Sequence, residues 1–396
     1  MTTPSPRWRR QILFADVDAM FASAAAVKDP SLAGKPVAVG GPPPRGIIAA
    51  ASYAVRAFGV RSAMPTAKAL QLCPDLILLP PDPPLYRQLH EAMRTVTDRL
   101  FPLTEWSSID EFYADTTTLQ SLHPDPLALG QLVKEELYAA TGLRSTVAIA
   151  SGKTIAKIAA ECHKPDGLIV VKPGTEPSFL APCPLHTLPR IGPKTAARLQ
   201  ALGLTTIGDL LDARWDSMLQ RLFGNSLTVI RDRARGIDNE PVVTDRDPKS
   251  VSRETTFDRD TRDPNLLERT LREFLGLLTH HLRQDARAAA SCLIKLKDSR
   301  FIVTTKRRRF PRPLNDEAVM WPTVRQALHE LISPETAYRL VGLALTDFAP
   351  ASPSLFDQRR AQALEAMDRL IVRYGPSVVG LGGIFPRHMT RRSTVT

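Results

Sequence analysis

The chain has 396 residues, 43% hydrophobic and 23% charged, enough apolar material for several packed cores, which excludes a disordered tail or a fibre and suggests about two to four domains. Lys and Arg number 52 against 41 Asp and Glu, a net charge of +11 that favours a polyanionic partner. The four cysteines, Cys73, Cys162, Cys183 and Cys292, have no C-x-x-C spacing, and nothing resembles a signal peptide or a run of about 20 apolar residues, so a disulfide scaffold and a membrane protein are excluded, a zinc site is argued against, and a soluble cytoplasmic protein is expected.

Taken in chain order, residues 11–18 (Q-I-L-F-A-D-V-D) predict a buried strand ending in carboxylates. An Ala-rich helix is expected over 19–28, a short strand over 36–39, a Gly-Pro loop after it, and a helix over 65–73 opened by Pro65. The prolines of 80–84 mark a loop or hinge, residues 85–100 carry apolar side chains at helical spacing, and 106–115 reads as one strand with carboxylates in its middle. A helix over 131–140, a strand over 145–150 and a helix over 154–162 complete an alternating α and β region of about 170 residues. The chain to Asp238 is then helical in character, and 244–252 has the look of a linker. From Val251 a second α+β unit of about 100 residues is expected, with helices over 264–284 and 323–331 and strands over 288–297, 301–305 and 338–347. Residues beyond 350, including a helix over 359–374, read as a tail.

Four groups carry chemistry. Asp16 and Asp18 lie two apart on a strand and so share a face, and Asp110 and Glu111 interrupt a second apolar segment. If tertiary pairing brings these acids together they form an oxygen-ligand site for divalent metal of the kind phosphoryl transfer requires; otherwise each pairs with an arginine or sits at an exposed strand end. Tyr53, Arg56, Lys157 and Lys164 would supply cations and hydroxyls for phosphate oxygens, or be solvated surface groups. The run from Leu188 to Leu211, with Gly192, Pro193 and Lys194 opening a helix and Gly203 ending it, fits a helix-hairpin-helix that holds a nucleic-acid phosphate, or an ordinary helical hairpin. Between Lys295 and Arg312 eight basic residues face one acid, Asp298: Lys295, Lys297, Arg300, Lys306, Arg307, Arg308, Arg309 and Arg312. Alternation of lysines with Ile294 and Leu296 suggests one apolar and one cationic sheet face, suited to a phosphate backbone.

At this point the sequence resembles the Y-family translesion DNA polymerases, in the DNA polymerase IV (DinB) branch. The matching segments, in the family's order, are F-A-D-V-D-A-M-F-A-S (14–23), A-S-Y-A-V-R-A-F-G-V-R-S-A-M-P (51–65), S-I-D-E-F-Y-A-D (108–115), A-K-I-A-A-E-C-H-K-P-D-G (156–167), the hairpin 188–211, A-R-G-I-D (234–238) and K-S-V-S-R-E-T-T-F (249–257). The resemblance implies an α+β multidomain, right-hand polymerase: palm (1–18 and 82–171), fingers (19–81), thumb (172–241), linker (242–250), little finger (251–349) and a C-terminal tail (350–396).

It further implies that Asp16, Asp110 and Glu111 bind two Mg²⁺ with the Val17 carbonyl, that Phe21 is a steric gate against ribonucleotides, and that Tyr53, Arg56 and Lys157 hold the incoming triphosphate. Asp18 has no metal role in that pattern and becomes a structural acid. Primer-template DNA, gripped through the hairpin and the basic little-finger strand, and dNTPs are the implied partners, with low fidelity and no proofreading. The sequence departs from the pattern at Met20, Ala25, Ala54 and Arg190, where a second aromatic, two acids and a glycine are usual. Near the end, S-P-S-L-F (352–356) resembles a sliding-clamp peptide without its leading glutamine, leaving Leu355 and Phe356 as anchors. Nothing points away from a monomer. Two rival functions stay open: another two-metal nucleotidyl-transfer enzyme on a similar palm, such as a nucleotide cyclase, and a catalytically idle DNA-binding relative.

Overall fold

In the computed structural model, which describes residues 8–244, 247–351 and 358–375, the chain divides into two units between Arg246 and Asp247. The strands of the first are β1 (Ile12–Val17), β2 (Val37–Gly40), β3 (Ile48–Ala51), β4 (Ile77–Leu79), β5 (Thr104–Trp106), β6 (Glu111–Asp115), β7 (Ser145–Ala150) and β8 (Leu168–Val170). They form a five-stranded sheet of order β5-β6-β1-β7-β8 and a three-stranded sheet of order β3-β2-β4.

Strand β1 lies at the centre of the larger sheet, antiparallel to β6 and β7, and is covered on both faces, which is why it reads as an almost continuous apolar run. Parity sorts its side chains. Ile12 and Phe14 enter a core shared with the helix Lys153–His163, whereas Leu13, Ala15 and Val17 enter one shared with the helices Pro83–Leu100 and Pro126–Thr141. Asp16 therefore falls on the side of the helix Lys153–His163.

The segment 106–115 is not one strand. Ser107 and Ser108 direct their backbone N–H groups to the Glu111 carbonyl, closing a hairpin between β5 and β6, so that Asp110 sits in the turn and Glu111 starts the second strand. The prolines of 80–84 also divide: Asp82 caps the helix Pro83–Leu100, and Pro83 and Pro84 form its first turn. Pro65 precedes the helix Thr66–Leu72 as its cap.

Residues 176–234 are built of short helices, among them Pro193–Gln200, Asp216–Phe223 and Leu227–Ala234. The second arm of the hairpin is a 3₁₀ turn, Gly208–Leu211, and Leu188, Ile191, Leu199, Leu204, Ile207 and Leu210 join the same core as Phe14.

The second unit is a sheet of order β11-β10-β12-β9, from β9 (Ser250–Thr261), β10 (Arg287–Asp298), β11 (Val303–Leu314) and β12 (Tyr338–Pro350), all antiparallel. The helices Pro264–Gln284 and Glu317–His329 pack their apolar sides against it. Strand β11 runs nine residues past the expected end at Thr305, through Pro311 and Pro313, because it is an edge strand whose missing N–H groups cost no ladder bond on the open side. The helix expected over 323–331 starts earlier, at Glu317, where Asp316 caps it. The helix Gln358–Tyr374, expected as part of a tail, is tied to this unit: Asp368 takes hydrogen bonds from Arg283 Nε and Nη2, both at 2.7 Å, and Arg360 pairs with Asp316. The segment with Leu355 and Phe356 lies outside the described residues.

Candidate active site

Register brings the acids together. Asp16 of β1 is the cross-strand partner of Glu111 of β6, and the Val17 N–H donates to the Asp110 carbonyl at 3.0 Å. Carboxylates about 95 residues apart in sequence thus share one end of the sheet.

Each is held by a neighbour. Lys164 Nζ donates to Asp16 Oδ2 at 2.7 Å, and Lys157 Nζ donates to both Glu111 oxygens at 2.8 and 2.6 Å. Ser107 Oγ donates to Glu111 Oε1 at 2.8 Å and Ser108 Oγ to Asp110 Oδ1 at 2.5 Å. Burial pushes the Asp16 carboxyl up to about 6 against the pull of Lys164, and the charges of Asp110 and Glu111 add to the rise. Lys164 is held above the ordinary lysine range: burial opposes its charge, but Asp16 and then Glu161 outweigh it. Among the described residues no three His, Cys, Asp or Glu side chains already converge as a metal cage. The donor set nevertheless suits a hard cation: carboxylate oxygens whose mutual repulsion is offset by ammonium groups would be relieved further by a divalent ion.

Asp18 is buried and fully engaged. It accepts from Thr146 Oγ1 at 3.0 and 3.2 Å, from the Asp166 N–H at 2.8 Å and from Tyr53 OH at 3.2 Å, which suits a structural acid. Burial, with the Asp18 charge next, pushes the Tyr53 hydroxyl up to about 12, so it stays a donor. The Arg56 guanidinium lies 4.3 Å over the Tyr53 ring and its Nε donates to the Ala51 carbonyl at 3.0 Å, so that Arg56 is joined to Asp18 through Tyr53. Phe21, in the first turn of the helix Met20–Lys28, stacks on Tyr86 with ring centroids 4.0 Å apart. Tyr86 is the neighbour that motif reading misses, since it carries no local signal; Lys164, expected among the phosphate cations, instead pairs with Asp16.

In the helical segment, Gly192 caps the helix Pro193–Gln200 with open space around it, and Lys194 lies in its first turn. Arg190 has φ +79, the left-handed region where glycine is usual.

The basic segment of the second unit does not form one face. Pairing of Leu293 with Arg307, Ser291 with Arg309, Lys295 with Thr305 and Lys297 with Val303 puts Lys295, Lys297, Arg307 and Arg309 on the side away from the helices. Lys306 and Arg308 share the other side with Ile294 and Cys292 and both pair with Glu330, Lys306 at 2.8 Å. Arg300 lies in the β10–β11 turn beside Asp298. Four of the eight basic residues thus share one face, where Lys295 pairs with Glu254 at 2.7 Å and Arg307 with Asp347.

Family models match at residues 15–161 (impB/mucB/samB family) and 248–358 (its C-terminal domain). DNA polymerase IV of Dehalococcoides mccartyi strain CBDB1 is 34% identical over 379 residues, spanning 94% of this chain and 97% of its own, and that of Methanoculleus marisnigri is 38% identical over 353 residues, spanning 87% and 95%. The chain belongs to the Y-family DNA polymerases, in the DNA polymerase IV branch. Solved Y-family structures share the fold: a Y-family DNA polymerase chimera built on Dbh superposes with TM-score 0.77 at 25% identity over 85% of this chain and 98% of that one. DinB from Sulfolobus solfataricus gives TM-score 0.60 at 25% identity over 86% and 100%. This Y-family chain is accordingly a DNA-directed DNA polymerase of the right-hand class, with palm, fingers, helical thumb and α+β little finger, and its membership implies a divalent metal cofactor. No described helix is long and apolar enough to cross a membrane.

Proposed function

We infer that the chain extends a primer 3′-hydroxyl with dNTPs on damaged templates, with Asp16, Asp110 and Glu111 holding two Mg²⁺ together with the Val17 carbonyl. The observation that carries this reading is the pairing of Asp16 with Glu111 at the strand ends, with Asp110 fixed beside them through the Val17 N–H. Bound Mg²⁺ would supply Lewis-acid activation of the hydroxyl and charge neutralisation at the leaving pyrophosphate. The protein's own part is positional and electrostatic. Lys157, Arg56 and Tyr53 present donors to the triphosphate, and Phe21, backed by Tyr86, stands against the sugar 2′ position.

On this reading residues 1–18 and 82–171 are the palm, 19–81 the fingers, 172–241 the thumb, 242–250 the linker and 251–349 the little finger. The hairpin at Gly192 and Lys194 and the cationic face of Lys295, Lys297, Arg307 and Arg309 follow the duplex through phosphates, with Arg300 at its edge. The small Ala- and Gly-rich fingers leave the base pair loosely enclosed, which favours low fidelity and lesion tolerance. The protein acts as a cytoplasmic monomer, and Leu355 with Phe356 would engage a sliding clamp.

Primer extension with all four dNTPs on undamaged and lesion-bearing templates tests the reading. Extension past the lesion is expected. Duplex binding without extension would favour an idle DNA-binding relative.

A further inference from the structure

The helix Lys153–His163 carries Lys157 one turn from its start, and its N-terminus is not open. The S-G-K-T run that begins it (151–154) would suit a phosphate by composition, but an internal carboxylate fills the place: Asp238 Oδ2 accepts the Thr154 N–H at 2.7 Å. Gly152 permits that approach, since a Cβ there would lie 3.0 Å from the Asp238 carbonyl oxygen. Asp238 belongs to a strap, residues 238–243, that wraps the start of the helix. Arg10 donates to the Asp238 carbonyl at 2.5 Å and to that of Glu240. The Glu240 N–H returns to Asp238 Oδ1 at 3.0 Å.

Beneath the strap lies a buried ion pair. Lys153 Nζ donates to Glu105 at 3.0 and 2.8 Å and reaches Glu240 and the Pro241 carbonyl, both at 3.4 Å, while the Val243 N–H donates to Glu105 Oε2 at 3.0 Å. Lys153 and Glu105 are 5% and 4% exposed, so neither charge can find water if its partner leaves. The strap thus pins one end of the helix from outside while Glu105 pins it from the sheet. Three residues on from Thr154, about 4.5 Å along the axis at 1.5 Å per residue, stands Lys157.

We propose that Asp238, supported by the Lys153–Glu105 pair, is a positioning residue that sets the height of the helix Lys153–His163 and so delivers Lys157 to Glu111 and the nucleotide phosphates. The proposal rests on the reading of Lys157 as a triphosphate ligand and adds to it a part of the chain 81 residues away that touches no substrate. An acceptor at Asp238 is what the helix needs; a charge there is a secondary gain. Loss of the acceptor frees the first turn to shift, and a displaced ammonium costs nucleotide binding.

Steady-state single-nucleotide incorporation by the full-length chain tests this. Asp238→Ala should raise KM for dNTP about tenfold, with kcat and primer-template Kd within about twofold, and Asp238→Asn, which keeps one acceptor oxygen for the Thr154 N–H, should recover part of the loss. In a Lys157→Ala background, Asp238→Ala should add no further rise in KM. A lowered melting temperature with unchanged KM, or an undiminished tenfold rise in the Lys157→Ala background, would reduce the strap to a structural brace and overturn the proposal. Unchanged KM in Lys157→Ala alone would instead remove the triphosphate assignment beneath it, a failure read in a protein whose strap is intact.

Discussion

Lys157 and Glu111 form a two-pronged contact, with the ammonium 2.8 and 2.6 Å from the two carboxylate oxygens, at the one end of the sheet where Asp16 and Asp110 also gather. On the proposed reading, a cation for phosphate and a carboxylate for metal therefore neutralise each other in the free protein. Substrate and metal must separate them, so binding of the two should be coupled: dNTP should tighten Mg²⁺ binding, and Lys157→Ala should weaken dNTP binding while leaving Mg²⁺ binding in the absence of dNTP equal or tighter. Isothermal titration of each ligand with and without the other checks it.

Asp16 sets a pH limit. Its carboxyl is raised to about 6, chiefly by burial, so the free protein keeps that proton until the pH passes about 6. The stability linked to this proton is present at low pH and lost as pH rises through about 6, whereas metal binding needs the ionised form and is lost as pH falls through it. Mg²⁺ should raise the melting temperature at about pH 7.5 and scarcely at about pH 5. An equal rise at both values would exclude Asp16 as a ligand.

Phe21 rests flat on Tyr86, and the stack is worth roughly 0.5–1.5 kcal/mol beyond burial. Phe21→Ala should admit ribonucleotides while dNTP incorporation persists. Tyr86→Ala should do so to a lesser degree, because the ring of Phe21 loses its backing. Ratios of kcat/KM for dNTP and rNTP measure both, and unchanged discrimination in Phe21→Ala would remove the gate.

Arg190 pays backbone strain at φ +79, a conformation that costs a non-glycine residue about 1 kcal/mol. Arg190→Gly should therefore hold or raise the melting temperature despite the added chain entropy of glycine. Duplex affinity should fall and depend less on salt if the side chain touches a phosphate; melting curves and salt-dependent binding separate the two effects.

The cationic face of the second unit makes a contrast that sequence counting could not. Arg307→Ala with Arg309→Ala should weaken duplex binding and reduce its salt dependence by about one to two phosphate contacts. Lys306→Ala with Arg308→Ala, on the helix side and paired with Glu330, should change duplex binding little. Fluorescence anisotropy over a range of salt concentrations reports both, and equal losses in the two double variants would contradict the assignment of faces.

How much was legible in advance depended on how local the signal is. Strand β1 announced itself because burial on both faces demands an unbroken apolar run, and the acids at its end stood out against that run. The β5–β6 hairpin was hidden because Ile109 places an apolar residue inside the turn, and only the serine hydroxyls and the cross-strand register mark the break. Strand β11 was cut short because four consecutive basic residues and two prolines look unlike a strand; an edge position makes them acceptable, and edge position is a property of the assembled sheet. The same is true of Tyr86 under Phe21 and of Asp238 over Thr154, which meet only through tertiary packing.

The central claim is that Asp16, Asp110 and Glu111 make one metal centre that drives synthesis. Manganese binding, followed by electron paramagnetic resonance in the presence of a dideoxy-terminated primer-template and the next dNTP, tests it most directly. Two bound ions per wild-type chain are expected, with at least one lost in Asp16→Ala and in Glu111→Ala while duplex affinity holds. Undiminished binding of both ions in those variants would contradict the account.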